Sequence, residues 1–339
     1  MRTSGRTSVG QMSRRGLRLA VFAATGWVWA VGLASAAAGE GPRVVVSIPP
    51  LHSLIAGVMA GVGTPDLLIE GASSPHAYSL RPAAARALAA ADAIFWIGPD
   101  LETFLPKPIA TLAGQARVMT VMDDPEIILF PVREGGAWED EHEHADEHED
   151  EHEDEHAAEH DAHEHGQHDP HVWLDPRNAQ RIVAQAAVIL GEVDPGNAAT
   201  YRANAQRLAA DLAALERELA AKLVPVHSVP YIVFHDAYHA FEARFGLNAV
   251  GAFALSPGAA PGAKRVAELR ARIDKAGAAC VFVEPQFEPA VVKAAVSGTG
   301  ARVAVLDPLG AGLPPGTDQY AQLLRALADN LVACLGGTS

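Results

Sequence analysis

Cysteine is nearly absent from this chain: Cys280 and Cys334 are the only two among 339 residues. Both lie in the part expected to reach an oxidising compartment, where they could pair; two buried free thiols are the alternative. Pairing would stabilise the fold by about 4 kcal/mol in the chain-entropy account of loop closure. No basic patch stands out, which argues against nucleic acid as a partner. No Walker pattern occurs, so nothing here is expected to hydrolyse ATP. Beyond residue 38 no apolar run is long enough to cross a bilayer as a helix. Lys and Arg are also missing from Glu139 to Asp169, a stretch that holds sixteen carboxylates.

That last absence relocates the charge. The formal net charge is −15, yet residues 139–169 carry −16 and residues 1–38 carry +5, leaving about −4 elsewhere. With 49% hydrophobic residues, the remainder has the composition of a soluble globular protein of two domains. Arg14, Arg15 and Arg18 precede an apolar stretch from Leu19 to Leu33 and then small residues 34–38. Residues 1–38 are thus expected to be an export signal, with a retained anchor as the alternative.

Short apolar runs alternate with helical patterns on both sides of the acidic stretch. Strands are expected at 43–48, 67–70, 93–97 and 117–121, with helices at 51–62, 82–91, 104–113 and 176–190. The pattern restarts with strands at 231–234, 249–254, 279–283 and 302–306. Helices follow at 236–245, 263–275, 289–296 and 318–334. Between the halves, residues 197–223 show Ala and Leu at helical spacing without Gly or Pro, enough for a strut of roughly 40 Å. The expected fold class is α/β: two lobes with parallel sheets joined by a long rigid linker helix. The boundaries are an N-terminal lobe at 41–192, a linker helix at 195–224 and a C-terminal lobe at 229–339.

The acidic stretch is also rich in histidine. His142, His144, His148, His152, His156, His160, His163, His165 and His168 are nine of the chain's fifteen. Imidazole and carboxylate are both ligands for divalent transition metals, so low-affinity metal collection is expected here. Residues 139–168 have too few large apolar groups to offset ordering entropy, so disorder is the expectation. His144 to His160 recur every fourth residue and could share a helix face if metal neutralised the acids.

Single histidines elsewhere sit in more specific places. His76 lies in SSPHAYSLRP, His171 in DPHVWLDP, and His235 closes the strand YIVFH. Asp307, in VAVLDPLG, follows a strand directly. These are loop positions at the carboxyl ends of strands, where α/β proteins place binding residues. His235, Asp236 and His239 allow another reading, a zinc hydrolase with two helical His and an acid between them. His52 and His227 read as structural.

Across nearly the whole chain after residue 38, the sequence resembles the periplasmic metal-binding proteins of zinc/manganese ABC importers, specifically the high-affinity zinc-uptake (ZnuA-type) branch. VVVSIPPLHSL, PHAYSLRP, DPHVWLDPRNA, YIVFHDAYHAFEARFGL, VFVEPQF and LDPLG carry the likeness. The resemblance implies His76, His171 and His235 as ligands, with Asp307 or water fourth and Pro75 in place of the extra Glu that some members have. It implies a Cys280–Cys334 disulfide, a periplasmic location, Zn²⁺ as cargo, and no enzymatic activity. The implied partners are a transmembrane permease with its cytoplasmic ATPase, with a periplasmic zinc chaperone in addition; nucleic acid is not among them, and a monomer is expected. Zinc storage and host adhesion are rival roles. Three imidazoles favour Zn²⁺ over the harder Mn²⁺, and affinity is expected to fall below about pH 6.5 as His protonates.

Overall fold

Short Val-, Ile- and Ala-rich runs flanked by turn residues form two separate parallel sheets. The computed structural model describes residues 41–71, 73–133, 168–254, 263–285 and 290–337. All of them belong to one unit of the chain, residues 40–339. The first sheet contains β1 (Val44–Val46), β2 (Asp66–Leu67), β3 (Ala93–Trp96) and β4 (Arg117–Thr120), in the order β2-β1-β3-β4. The helices of this half are α1 (Pro49–Val58), α2 (Pro82–Ala90), α3 (Pro106–Leu112) and α4 (Pro176–Val193). Each begins with proline in its first turn, where the missing N–H has no intrahelical partner to lose.

A 26-residue helix, α5 (Ala198–Leu223), leads to the second sheet. That sheet contains β5 (Tyr231–His235), β6 (Ala249–Ala254), β7 (Cys280–Val283) and β8 (Arg302–Val305), in the order β6-β5-β7-β8. Its helices are α6 (His239–Phe245), α7 (Ala263–Ala276), α8 (Ala290–Val296) and α9 (Gln319–Leu335). The two halves thus repeat one strand order, and all pairings are parallel. Strand order reverses between β1 and β3 and between β5 and β7. Such switch points open a crevice beyond the carboxyl ends of the strands.

The lobes are not independent. α5 packs on α1 and α4 of the first lobe and on α9 of the second. Its buried Leu212, Leu215, Leu219 and Leu223 recur at helical spacing and face that seam. Asn204 donates to the Val58 and Ala60 carbonyls on one side, while Glu218 accepts from Arg325 of α9 on the other. One apolar cluster continues from β1, β3 and α1 through α4 and α5 to Tyr238, Leu306, Tyr320 and α9. A smaller one lies on the other face of the second sheet, around Phe234, Phe253 and Ile273.

One boundary changes the chemistry. Residues 236–245 are expected to be one helix, but α6 starts only at His239, and Asp236–Tyr238 form a loop. His235 ends a strand, so His235 and His239 do not share a helix face. This removes the geometric basis of the hydrolase reading. His52 is buried with its Nε2 at 3.0 Å from the Pro65 carbonyl, and His227 is exposed.

Cys280, the first residue of β7, is disulfide-bonded to Cys334 in the last turn of α9, with the two Cα atoms 6.3 Å apart. The bond closes a loop across 54 positions and fastens the sheet to the C-terminal helix. Replacing both cysteines with Ser is expected to lower unfolding stability by about 4 kcal/mol. Urea titration checks this: the midpoint should fall, and an unchanged midpoint would contradict the role assigned to the bond.

Candidate metal centre

Three histidines separated by up to 159 positions meet in one small volume. The His76, His171 and His235 rings each offer a nitrogen, and these atoms all lie within 4.8 Å of one another. Among the described residues, no other group of three or more His, Cys, Asp or Glu is brought together in this way. His76 sits in a single helical turn, Pro75–Ala77, between β2 and α2. His171 precedes the turn Val172–Leu174 that leads into α4. His235 is the last residue of β5. Two donors therefore come from the first lobe and one from the second.

The spacing of the two first-lobe nitrogens suits a small tetrahedral ion. His76 Nε2 and His171 Nε2 are 3.2 Å apart. Two nitrogens at 2.0–2.1 Å from a tetrahedral Zn²⁺ would lie about 3.3 Å apart. The ring centroids are 5.3 Å apart for His76–His171, 5.5 Å for His76–His235 and 4.8 Å for His171–His235. The rings are tilted or edge-on rather than stacked.

Two of the imidazoles are oriented by carboxylates. His171 Nδ1 lies 2.6 Å from Asp169 Oδ1, which also accepts the His171 backbone N–H at 3.0 Å. His235 Nδ1 lies 3.1 Å from Glu284 Oε1. In both cases Nδ1 is engaged and Nε2 is left for the centre, the arrangement that fixes the tautomer of a metal-binding His. Glu284 arrives there by register. β7 lies beside β5 with Val233 opposite Phe282, so two residues further on His235 stands opposite Glu284. Sequence reasoning missed both carboxylates. Asp169 had a local signal, two residues before His171, while Glu284 could be found only once β5 and β7 were known to pair.

Electrostatics separate the three rings. Burial and the facing imidazoles of His171 and His235 push His76 down to about 2, so it stays neutral and ready to donate a lone pair. Burial works to lower His235 as well, but the Glu284 carboxylate outweighs it and the pKa is raised. Asp169 is held below its usual range: burial acts to raise it, and His171 more than compensates.

Asp307 does not join the three imidazoles. Its Oδ1 accepts the backbone N–H groups of Leu309 and Gly310, each at 3.0 Å, and Oδ2 accepts that of Ala311 at 2.7 Å. The carboxylate organises its own loop. Asp236 is held by Arg133, whose Nε donates to Oδ2 at 3.0 Å and whose Nη2 donates to Oδ1. It is therefore not placed as the free general base of a hydrolase. Of the histidines expected to collect metal, His142, His144, His148, His152, His156, His160, His163 and His165 lie outside the described residues. His168 is described and forms an isolated antiparallel bridge with Pro131.

The raised His235 pKa sets a pH dependence. Without metal, His235 holds its proton to above pH 6.5, and an incoming ion must displace it. Metal affinity should therefore climb with pH and level off only above that value, later than an unperturbed imidazole would allow. Glu284→Gln should lower the midpoint and weaken affinity by roughly 10- to 100-fold. Chelator competition across about pH 5.5–8.5 measures both, and a midpoint unmoved by the substitution would contradict the orienting role.

Comparison with known proteins gives concordant results. The sequence profile of the family described as zinc-uptake complex component A, periplasmic (ZnuA) matches residues 44–334. The high-affinity zinc uptake system protein ZnuA of Brucella abortus (strain 2308) is 51% identical over 314 residues, covering 89% of this chain and 94% of that protein. The protein of the same name from Yersinia pestis is 37% identical over 294 residues, covering 86% and 91%. Among solved structures, one described as a crystal structure of ZnuA superposes with a TM-score of 0.71 at 23% identity, covering 87% of this chain and all of that one.

Proposed function

The chain belongs to the ZnuA family of periplasmic zinc-uptake components, and we propose that His76, His171 and His235 are the ligands with which it captures Zn²⁺. The role is that of the zinc-binding component of an ABC importer. The observation that carries the ligand assignment is the convergence of three nitrogens within 4.8 Å, drawn from both lobes. Neutral imidazole suits Zn²⁺, and three such donors plus one open position make a closed but exchangeable site. Asp307 lies outside the group of three and its carboxylate accepts three backbone amides, which favours water over Asp307 in the fourth position.

Delivery follows from the two-lobed origin of the ligands. An ion held by His76 and His171 on one side and His235 on the other ties the lobes together. The shared helix α5 and the continuous apolar seam limit the movement on release to a small tilt rather than a wide hinge opening. A membrane permease, driven by its cytoplasmic ATPase, would recognise the loaded form. Residues 1–38 direct export to the periplasm. The segment 139–168 acts as an auxiliary collector whose acids and imidazoles concentrate zinc beside His171. The activity is binding and delivery, with no catalytic step.

Competition against a chelator, with bound zinc counted, tests this directly. Alanine at His76, His171 or His235 should weaken the tight site by about a hundredfold or more, while Asp307→Asn should cost less than about tenfold. Deleting residues 139–168 should remove the weak sites and leave one tight site; loss of the tight site would overturn the assignment. Trp173 offers a second readout. It is fully buried, with its ring 5.3 Å from that of His171, so its fluorescence should change with the first equivalent of zinc and not with later ones.

A further inference from the structure

The two lobes are joined close to the metal centre by an ion-pair cluster that the zinc ligands themselves do not require. Arg133 lies in the first lobe, two residues beyond Pro131. Its guanidinium grips Asp236 through both Nε and Nη2, and its Nη1 donates to Glu242 Oε2 of α6 at 2.8 Å. Tyr231 of β5 donates its hydroxyl to the other Glu242 oxygen at 3.2 Å. The side chains are only 16%, 8% and 4% exposed for Arg133, Asp236 and Glu242. Burial acts against the guanidinium charge, but Glu242 and Asp236 outweigh it and raise its pKa. Two acids and one base are thus buried together, and removing the base would leave carboxylates facing each other in a poorly solvated place.

The cluster's position gives it meaning. Asp236 follows His235 directly in the chain. On the other side, the Phe130 carbonyl accepts the Asp169 N–H at 2.8 Å, Pro131 bridges to His168, and Asp169 holds His171. A bonded path therefore runs from His171 through Asp169 and the 130–133 segment to Arg133, then through Asp236 to His235. It joins ligands from opposite lobes without passing through the metal. A second fork runs the other way across the same seam. Arg244 of α6 donates to both Asp175 oxygens, at 2.9 and 2.7 Å, where Asp175 caps α4.

We propose that Arg133 is a latch between the lobes, a positioning residue that holds the His235–Asp236 turn against the His171 side and sets how long zinc stays bound. It touches no metal. Parting His171 from His235 stretches the path, and the Arg133 fork is the step at which this path crosses from one lobe to the other. Loss of the latch should therefore appear in dissociation far more than in association, because approach of the ion needs no part of the cluster.

The inference rests on the three-histidine site, and the experiment separates the two. Zinc association and dissociation are followed by stopped-flow chelator competition on the full-length protein, alongside the thermal transition with and without zinc. Arg133→Gln should speed dissociation about tenfold or more while association changes less than about threefold. Arg133→Lys keeps the charge without the fork and should fall between. Arg133→Gln combined with Asp236→Asn and Glu242→Gln strands no buried charge, so it covers the case in which the single variant fails to fold. It should keep the metal-free transition near that of the parent, yet still release zinc fast. Parental dissociation in this triple variant would overturn the latch, as would a parallel loss of association rate. Tight binding that survives His235→Ala would instead overturn the site assignment on which the latch rests.

Discussion

Three imidazoles from two separate lobes can share one small volume only if the lobes are held in fixed relation. The buried seam between the lobes provides that constraint, and the metal centre depends on it. Trp173 shows how directly the two are linked. Its indole is fully buried two residues from His171, and Nε1 donates across the seam to the Pro308 carbonyl at 2.8 Å. The Tyr320 hydroxyl of α9 donates back to the Trp173 carbonyl at 2.7 Å, and the Tyr320 N–H reaches Ser53 Oγ of α1 at 2.9 Å. These bonds lie within a continuous apolar cluster. Tilting one lobe against the other would expose apolar surface and unpair buried polar groups, both of which cost free energy. The donors are therefore largely in place before an ion arrives, which reduces the ordering cost of binding.

On this frame, charge decides which atoms face the ion. Asp169 and Glu284 each take the Nδ1 side of a histidine and leave Nε2 inward. His76 faces the other two, and burial together with their facing imidazoles keeps it neutral. The site is thus a set of three imidazoles backed by two carboxylates. That combination suits a divalent cation, whose charge the outer carboxylates partly balance without binding it.

Much of this was legible in the residues, for identifiable reasons. Strands such as RVVVSI and YIVFH announce themselves because they are short, apolar and bounded by turn residues, and the proline-started helices follow. The loop at Asp236–Tyr238 was not legible. The residues 236–245 fit a helical pattern, but Asp236 is drawn into the Arg133 fork, and that partner lies 103 positions away. The hydrogen bonds of Asp307 were not legible for a similar reason. A carboxylate after a strand is in a ligand's place, but the Pro-Leu-Gly-Ala turn that follows presents three amides to it. His76, His171 and His235 could each be picked out singly, and the family resemblance grouped them; spacing alone could not, because ligands so far apart carry no signature. Glu284 depended on which strands pair, which a single sequence does not state.

The histidine-rich stretch, the most conspicuous chemical feature of the chain, is therefore read as secondary to three isolated histidines. It enters the described part of the protein at His168, where the chain pairs with Pro131 and then supplies Asp169 and His171 in succession. We place the tight zinc site at the three imidazoles between the lobes. X-ray absorption at the zinc edge, on protein lacking residues 139–168 and loaded with one equivalent, tests it most directly. Three imidazole nitrogens and one oxygen at about 2.0–2.1 Å are expected, with the imidazole count dropping to two in His235→Ala. A first shell of mainly carboxylate oxygens, or one unaltered by His235→Ala, would contradict it.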